Sequence, residues 1–303
     1  MKFLKGLFKH QPRLPRIDIT KRFDLIGRVG QGSMSKVWRA RDTKTGRTVA
    51  LKVLDKEKTR RLEQRFVGLH KPTEGEIAIQ LQHPHIVRTF EHGLTRDREQ
   101  FLVMEFVEGV GLSYLVDVQN ELMRTSRLRF LIELGEAIHY FHQKNFIHRD
   151  ICPRNVLIDG EHHVKLIDFG LVVPNTPEFR KPGNRTGTAN YMAPELIKRL
   201  PTDQRIDIFS FSVTAYEMFT RKLPWDASET FDAAVQHINT PPDDIREHAP
   251  DIDREVAEIL MRGLQRQPAD RWQTMRELVE ALREVRLRLE PKSRPQEDEA
   301  DSE

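Results

Sequence analysis

His148-Arg149-Asp150-Ile151-Cys152-Pro153-Arg154-Asn155 sets an acid, a base and an amide within one short stretch, immediately before a strand pair that ends in Asp168-Phe169-Gly170. That combination reads as phosphoryl transfer. The transferred group passes through a loose transition state, so a protein mainly positions the nucleophile and neutralises charge. One carboxylate is needed near the attacking hydroxyl, and oxygen ligands are needed for Mg²⁺. Asp150 suits the first task; Asn155 and Asp168 suit the second.

Upstream, Leu128, Leu131, Ile132, Leu134, Ile138 and Phe141 recur at helical spacing, which predicts a buried helix over 127–145 feeding the loop. His139 and His142 lie on that helix and read as structural. Downstream, Asp159-Gly160 is a hairpin signal between Val156-Leu157-Ile158 and Val164-Lys165-Leu166-Ile167, which delivers Asp168 beside the loop. His162 and His163 are adjacent, so on a strand they would point to opposite faces, and a shared metal is not expected. The chain has one cysteine, and no zinc site is expected here.

Toward the N-terminus, residues 23–53 alternate as three strands, broken by the glycine turn Gly30-Gln31-Gly32-Ser33-Met34-Ser35-Lys36-Val37 and by Lys44-Thr45-Gly46. Glycines let a backbone fold close over phosphates and offer N–H groups to them, although a tight hairpin has the same appearance. Val49-Ala50-Leu51-Lys52 follows. The segment 55–82 is highly charged and then turns helical, with Pro72 fit only for a first turn and Gly75 weakening the helix, so a short helix is expected. Residues 100–109, QFLVMEFVEG, read as an apolar strand running into a linker. From Asp168 to Ala193-Pro194-Glu195 the chain is loop-like, with Pro174, Pro177, Pro182 and Gly183; beyond Glu195 it is helical to about residue 290.

In this order the motifs resemble the eukaryotic-type (Hanks-type) serine/threonine protein kinase family over roughly residues 23–288. The resemblance implies an α+β, bilobal fold: a small β-rich lobe with one key helix over a larger helical lobe. It divides the chain into N-lobe 21–104, hinge 105–109 and C-lobe 110–288. It implies ATP and Mg²⁺ as cofactors and a protein Ser or Thr hydroxyl as acceptor, the protein substrate being unidentified. Asp150 would accept the hydroxyl proton, Lys52 held by Glu74 (with Glu76 as the other candidate) would grip phosphates, and Asn155 and Asp168 would bind the metal. Val29, Gly30, Gly32, Val37, Ala50, Lys52, Met104, Glu105, Val107 and Leu157 would line the nucleotide site, Glu105 and Val107 through their backbones. Asp207 would brace the catalytic loop, and Arg271 would pair with Glu195. Gly187-Thr188 matches the serine/threonine branch, whose threonine bonds the catalytic aspartate. Arg149 would read a phosphate on the activation segment, with Thr186 preferred over Thr176 as its carrier.

Four positions depart from the family pattern. Ser35 replaces the third glycine and Ser212 a usual glycine, while Asn184 stands at the common phosphosite. Cys152 replaces the lysine that neutralises the γ-phosphate. Arg154 stands four residues past Asp150, where tyrosine kinases place an arginine, and is assigned the catalytic charge role. An active kinase, a catalytically impaired pseudokinase scaffold and a small-molecule kinase are the competing readings; the Ala193-Pro194-Glu195 segment and its threonine disfavour the last.

The 303 residues, 38% hydrophobic and 31% charged, suit one two-lobed or two average globular domains. A net charge of +3 gives no support for a nucleic-acid partner. One cysteine excludes an internal disulfide and fits a reducing cytosol. No apolar run of transmembrane length is present. Residues 1–20 form a basic arm whose Phe3, Leu4, Leu7 and Phe8 interleave with Lys2, Lys5 and Lys9. Packing on the domain and weak contact of residues 1–10 with anionic membrane surfaces both fit this pattern. The expected location is therefore cytoplasmic, with a peripheral membrane option. Residues 289–303 end acidic without apolar periodicity, and disorder is expected there.

Overall fold

The computed structural model describes residues 16–31, 34–182, 186–225, 238 and 240–289. The expectations for residues 1–15, Gly32, Asn184 and the tail from 290 lie outside them. Strands β1 (Arg16–Ile17), β2 (Phe23–Gln31), β3 (Ser35–Asp42), β4 (Thr48–Leu54), β5 (Thr89–Thr95) and β6 (Gln100–Glu105) form one sheet in the order β1-β5-β6-β4-β3-β2. Arg16 and Ile17, placed in the arm on sequence grounds, instead pair in parallel with Leu94 and Thr95. Helix α1 (Ile19–Arg22) follows directly, capped by Asp18.

Alternation along β4 gives this sheet two different faces. Val49, Leu51 and Val53 join Phe23, Ala40, Phe101 and Val103 in a small core of their own. Ala50 and Lys52 point the other way. Ala50 lies opposite Met104 in β6, and Lys52 lies opposite Val37 in β3, so these four side chains share the face turned to the second lobe.

Helix α2 (Lys56–Glu63) is capped by Asp55 and ends in a 3₁₀ turn whose Phe66 is buried. Helix α3 (Glu74–Ala78) has only five residues. Pro72 precedes it, and Thr73 and Glu76 form a reciprocal capping box that satisfies its first N–H groups. Gly75 serves a purpose beyond lowering helix propensity. A Cβ there would come within 2.6 Å of the His92 side chain, so glycine lets α3 lie against β5.

Strand β7 (Gly109–Gly111) leads into α4 (Leu112–Val118) and the long α5 (Glu121–Gln143), capped by Asn120. The helix predicted for 127–145 thus begins earlier and ends slightly sooner. After β8 (Phe146–Ile147), β9 (Val156–Asp159) and β10 (Val164–Leu166) pair antiparallel, and β7 joins β9 on its other edge. β11 (Val173–Pro174) pairs with β8. The rest of the described chain carries α6 (Pro194–Ile197), α7 (Arg205–Thr220), α8 (Ile245–His248), α9 (Arg254–Gly263) and α10 (Met275–Leu289).

α5 and α7 form the centre of the larger lobe, and α7 is buried around nearly its whole circumference. Ser212, the departure noted on α7, is fully buried and returns its hydroxyl to the Ile208 carbonyl at 2.9 Å. Its extra atoms fit because α9 presents Gly263, where a Cβ would fall 1.9 Å from the Ser212 Oγ.

Candidate active site

Lys52 is the buried centre of the cleft between the lobes. Its Nζ lies 2.6 Å from Glu74 Oε1 and 2.9 Å from Asp168 Oδ1. Lys52 and Glu74 are 4% and 6% exposed, which makes this an ion pair that each partner alone could not sustain. Burial works against the Lys52 ammonium, but Asp168 and Glu74 together raise its pKa above the ordinary lysine value. Burial pushes Glu74 up against the pull of Lys52. Asp168 ends below the usual carboxylate range, because the Lys52 ammonium and the Gly170 N–H outweigh its own desolvation. Glu74, not Glu76, meets the lysine, since the Glu76 carboxylate is spent on the Thr73 cap.

Asp150 is held from both sides. Thr188 donates its N–H and its hydroxyl to Asp150 Oδ1, each at 2.8 Å. The Asn155 amide donates to the Asp150 carbonyl at 2.8 Å and to its Oδ2 at 2.9 Å. Using the Asn155 NH₂ in this way leaves its oxygen as the atom available for a cation. Asp168 is similar: Oδ1 takes Lys52 and the Gly170 N–H, and the side chain is still 40% exposed to the cleft. One carboxylate and one amide oxygen on adjoining segments fit a hard divalent cation with phosphate oxygens completing its shell.

The loop carrying Asp150 is fastened to α7. Asp207, fully buried, accepts from the His148 N–H and the Arg149 N–H, both at 2.8 Å, and meets His142 Nε2 at 2.9 Å. Despite its desolvation, these contacts hold Asp207 below the usual carboxylate range. Arg149 takes a positive φ of 70° there. The Phe169 ring packs on Phe141 at 5.5 Å and edge-on to His148 at 6.2 Å, locking the start of the activation segment to the loop.

Cys152 and Arg154, beside Asp150, have different surroundings. Cys152 is 1% exposed, and burial together with the nearby Asp150 pushes its thiol up to about 11, so it is neutral at physiological pH. Its Sγ is 3.9 Å from the Thr188 hydroxyl. Arg154 is exposed, and its Nη2 is 3.4 Å from the same hydroxyl.

Of the residues expected on the nucleotide side, Val37, Ala50 and Met104 share the sheet face that carries Lys52. Ala50 and Met104 are buried, Val37 is partly buried, Leu157 on β9 is half-buried below, and Val29 is exposed beside Gly30. The Glu105 side chain turns away, accepting from the Arg88 N–H at 3.0 Å and from Lys165 at 3.2 Å, which leaves only backbone at the hinge. Val107 follows, half-buried. Thr186 is 7% exposed, and its hydroxyl has no hydrogen-bond partner among the described residues, so it would have to leave its place to be modified. Thr176 bonds Glu178 at 2.6 Å nearer the surface.

The pattern described as the protein kinase domain matches residues 23–282. The chain belongs to the protein kinase family. Among proteins similar to this kinase chain are the probable serine/threonine-protein kinase PknB of Corynebacterium glutamicum, 33% identical over 276 residues, covering 87% of this chain and 42% of the relative. The serine/threonine-protein kinase PrkC of Bacillus subtilis is 26% identical over 267 residues, with 86% and 40% covered. A probable serine/threonine-protein kinase of Clostridium acetobutylicum, CA_C1728, is 28% identical over 272 residues, with 88% and 40% covered. The chain thus spans about two fifths of the length of these relatives. Membership implies ATP, a divalent metal and protein substrates.

The turn at 160–163 differs from its sequence reading. His162 and His163 lie in the turn rather than on a strand, with His162 at φ 64° and the Asp159 carboxylate accepting from the Glu161 and His163 N–H groups. His163 therefore escapes the alternation argument, and its Nδ1 reaches Glu133 Oε1 at 2.8 Å. No local signal in the sequence joins these two residues.

Proposed function

We propose that this chain transfers the γ-phosphate of ATP to serine or threonine hydroxyls of a protein substrate. The observation that carries the reading is the joined pair of anchors: Lys52 held between Glu74 and Asp168, and Asp150 oriented by Thr188 and Asn155. Asp150 orients the acceptor hydroxyl and takes its proton. Thr188 and Asn155 keep that carboxylate from rotating, so little reorganisation is needed at reaction. Lys52 presents its ammonium to the α- and β-phosphates, and Glu74 fixes where that charge points. Asn155 and Asp168 would hold Mg²⁺, which would supply charge neutralisation at the transferring phosphate. Val29, Gly30, Val37, Ala50, Met104 and Leu157 close on the adenine, whose edge meets backbone groups of Glu105 and Val107. A scaffold role needs none of these aligned polar contacts, and the complete set favours the active enzyme.

Incubating the purified chain with labelled ATP and Mg²⁺, alone and with a generic basic protein, tests this. Phosphoserine or phosphothreonine should accumulate in the wild type and be lost in Asp168→Ala. Equal labelling of the two proteins, or none in either with any of Mg²⁺ and Mn²⁺, overturns the proposal.

For the terminus, the support is the basic amphipathic pattern of residues 1–10 alone, which lies outside the described residues; none of the described helices is long and apolar enough to cross a membrane. Weak, salt-sensitive binding to anionic vesicles from a cytoplasmic location is the corresponding proposal. The full chain should pellet with anionic liposomes at low salt more than a chain starting at Ile17. Equal pelleting removes the idea.

A further inference from the structure

Away from the cleft, three metal-type ligands from three different elements converge. His85 lies between α3 and β5, Glu133 is on α5, and His163 is in the β9–β10 turn. One ligand atom from each falls within 4.8 Å of the other two. His163 Nδ1 is 2.8 Å from Glu133 Oε1, and His85 Nδ1 is 3.8 Å from Glu133 Oε2. We propose that His85, Glu133 and His163 form a zinc-type divalent metal site separate from the nucleotide site.

Chemistry and support both favour this set. Two imidazoles and one carboxylate are a donor combination that suits Zn²⁺ and its borderline neighbours rather than Mg²⁺ or Ca²⁺. Zinc bonds of about 2.0–2.2 Å place tetrahedral ligand atoms roughly 3.4 Å apart, so the three ligand atoms, all within 4.8 Å of one another, would draw together around the ion by side-chain rotation. On the far side of the His85 ring, Nε2 faces Glu136 Oε2 at 3.5 Å. With Nδ1 on a metal, Nε2–H would donate to that carboxylate, the outer arrangement that orients metal-binding histidines. Without a metal, His85 Nδ1 is 3.2 Å from the Val164 carbonyl, a contact that metal binding would replace.

The frame is rigid where it must be. The His85 carbonyl accepts from the Leu166 N–H at 3.0 Å, and Val87 N–H returns a bond to the Leu166 carbonyl at 2.9 Å. These bonds fasten the His85 segment to β10, just beyond the turn that carries His163. Glu133 is buried and also accepts from the Val164 N–H at 2.9 Å, so its carboxylate is already aimed. His163 is 44% exposed, which leaves an entry path and a fourth position for water. His83 packs against His85 at 5.5 Å between ring centres and presents a further imidazole nearby. A bound ion would tie the linker between α3 and β5 to α5 of the large lobe.

The test uses the full chain stripped with chelator and then titrated with Zn²⁺ by calorimetry and with Co²⁺ by visible absorption. One high-affinity ion per chain is expected, with the intense d–d bands of a four-coordinate cobalt site and a raised melting temperature. His163→Ala removes a partly exposed ring and should fold normally while weakening Zn²⁺ at least about tenfold. His85→Ala should do the same, and Asp168→Ala should leave zinc binding unchanged. Failure of the wild type to bind overturns the proposal, as does unchanged affinity in His163→Ala or loss of the ion in Asp168→Ala.

Discussion

Arg154→Ala is expected to lower kcat by roughly 30- to 1000-fold, the loss of about 2–4 kcal/mol that follows when one preorganised electrostatic donor is removed. The geometry gives the reason. Arg154 follows Asp150 in a 3₁₀ turn, Pro153–Asn155, and its guanidinium reaches within 3.4 Å of the Thr188 hydroxyl that bonds Asp150. On the proposed reading it supplies the charge at the acceptor site, since a guanidinium can give two donors to phosphate oxygens. Cys152 cannot take that part. Its thiol is buried and neutral, with a pKa pushed up to about 11, and its Sγ lies 3.9 Å from the Thr188 hydroxyl. Cys152→Ala should change turnover little. Initial rates at saturating ATP and substrate decide the matter: if Arg154→Ala stays within about twofold and Cys152→Lys gains more than tenfold, charge compensation is wrong and the site lacks its cation.

Arg271→Ala should destabilise the fold by about 3–5 kcal/mol, because it leaves a buried carboxylate without its counter-charge. Arg271 is fully buried and grips Glu195 with two parallel bonds of 2.8 Å. The same guanidinium donates to the carbonyls of Gln265 at 2.7 Å and Arg266 at 3.1 Å, and it lies 4.8 Å from the centre of the Phe209 ring. One side chain thus joins α6, α7 and the loop after α9. Arg271→Lys should recover little, since an ammonium cannot reproduce the planar fork. The double variant Arg271→Met with Glu195→Gln should recover much of the loss, because the stranded charge is gone. Urea unfolding reads this as a lowered midpoint at an unchanged slope. A shift of less than about 1 kcal/mol for Arg271→Ala would show that water reaches Glu195 and that the pair is not sealed.

The candidate set was readable from order and spacing: the glycine turn, Lys52, the Asp150 loop with Asn155, and Asp168 stand in short runs. The structure brings Lys52 to Glu74 and Asp168 by direct bonds, and Lys52, Glu74, Asp150 and Asp168 line one cleft. Cys152 was equally legible as a departure, yet its burial was not, and neither was the burial of Thr186. Gly75 looked like a weakness in a helix because propensity is local; only β5 beside it reveals His92, the side chain it makes room for.

Alternation along β4 and helical spacing along α5 follow from the backbone geometry of single elements, so residues 49–53 and 128–141 disclose which side chains share a face without knowledge of any partner. Arrangements that join distant elements have no such local signature. Ser212 is tolerated because Gly263 lies opposite, and Asp207 holds the loop because α7 passes beneath it. His85, Glu133 and His163 become neighbours only when a linker, a helix and a turn are packed together. The periodicity of a chain encodes which face is buried, but close packing between elements decides which side chains meet there.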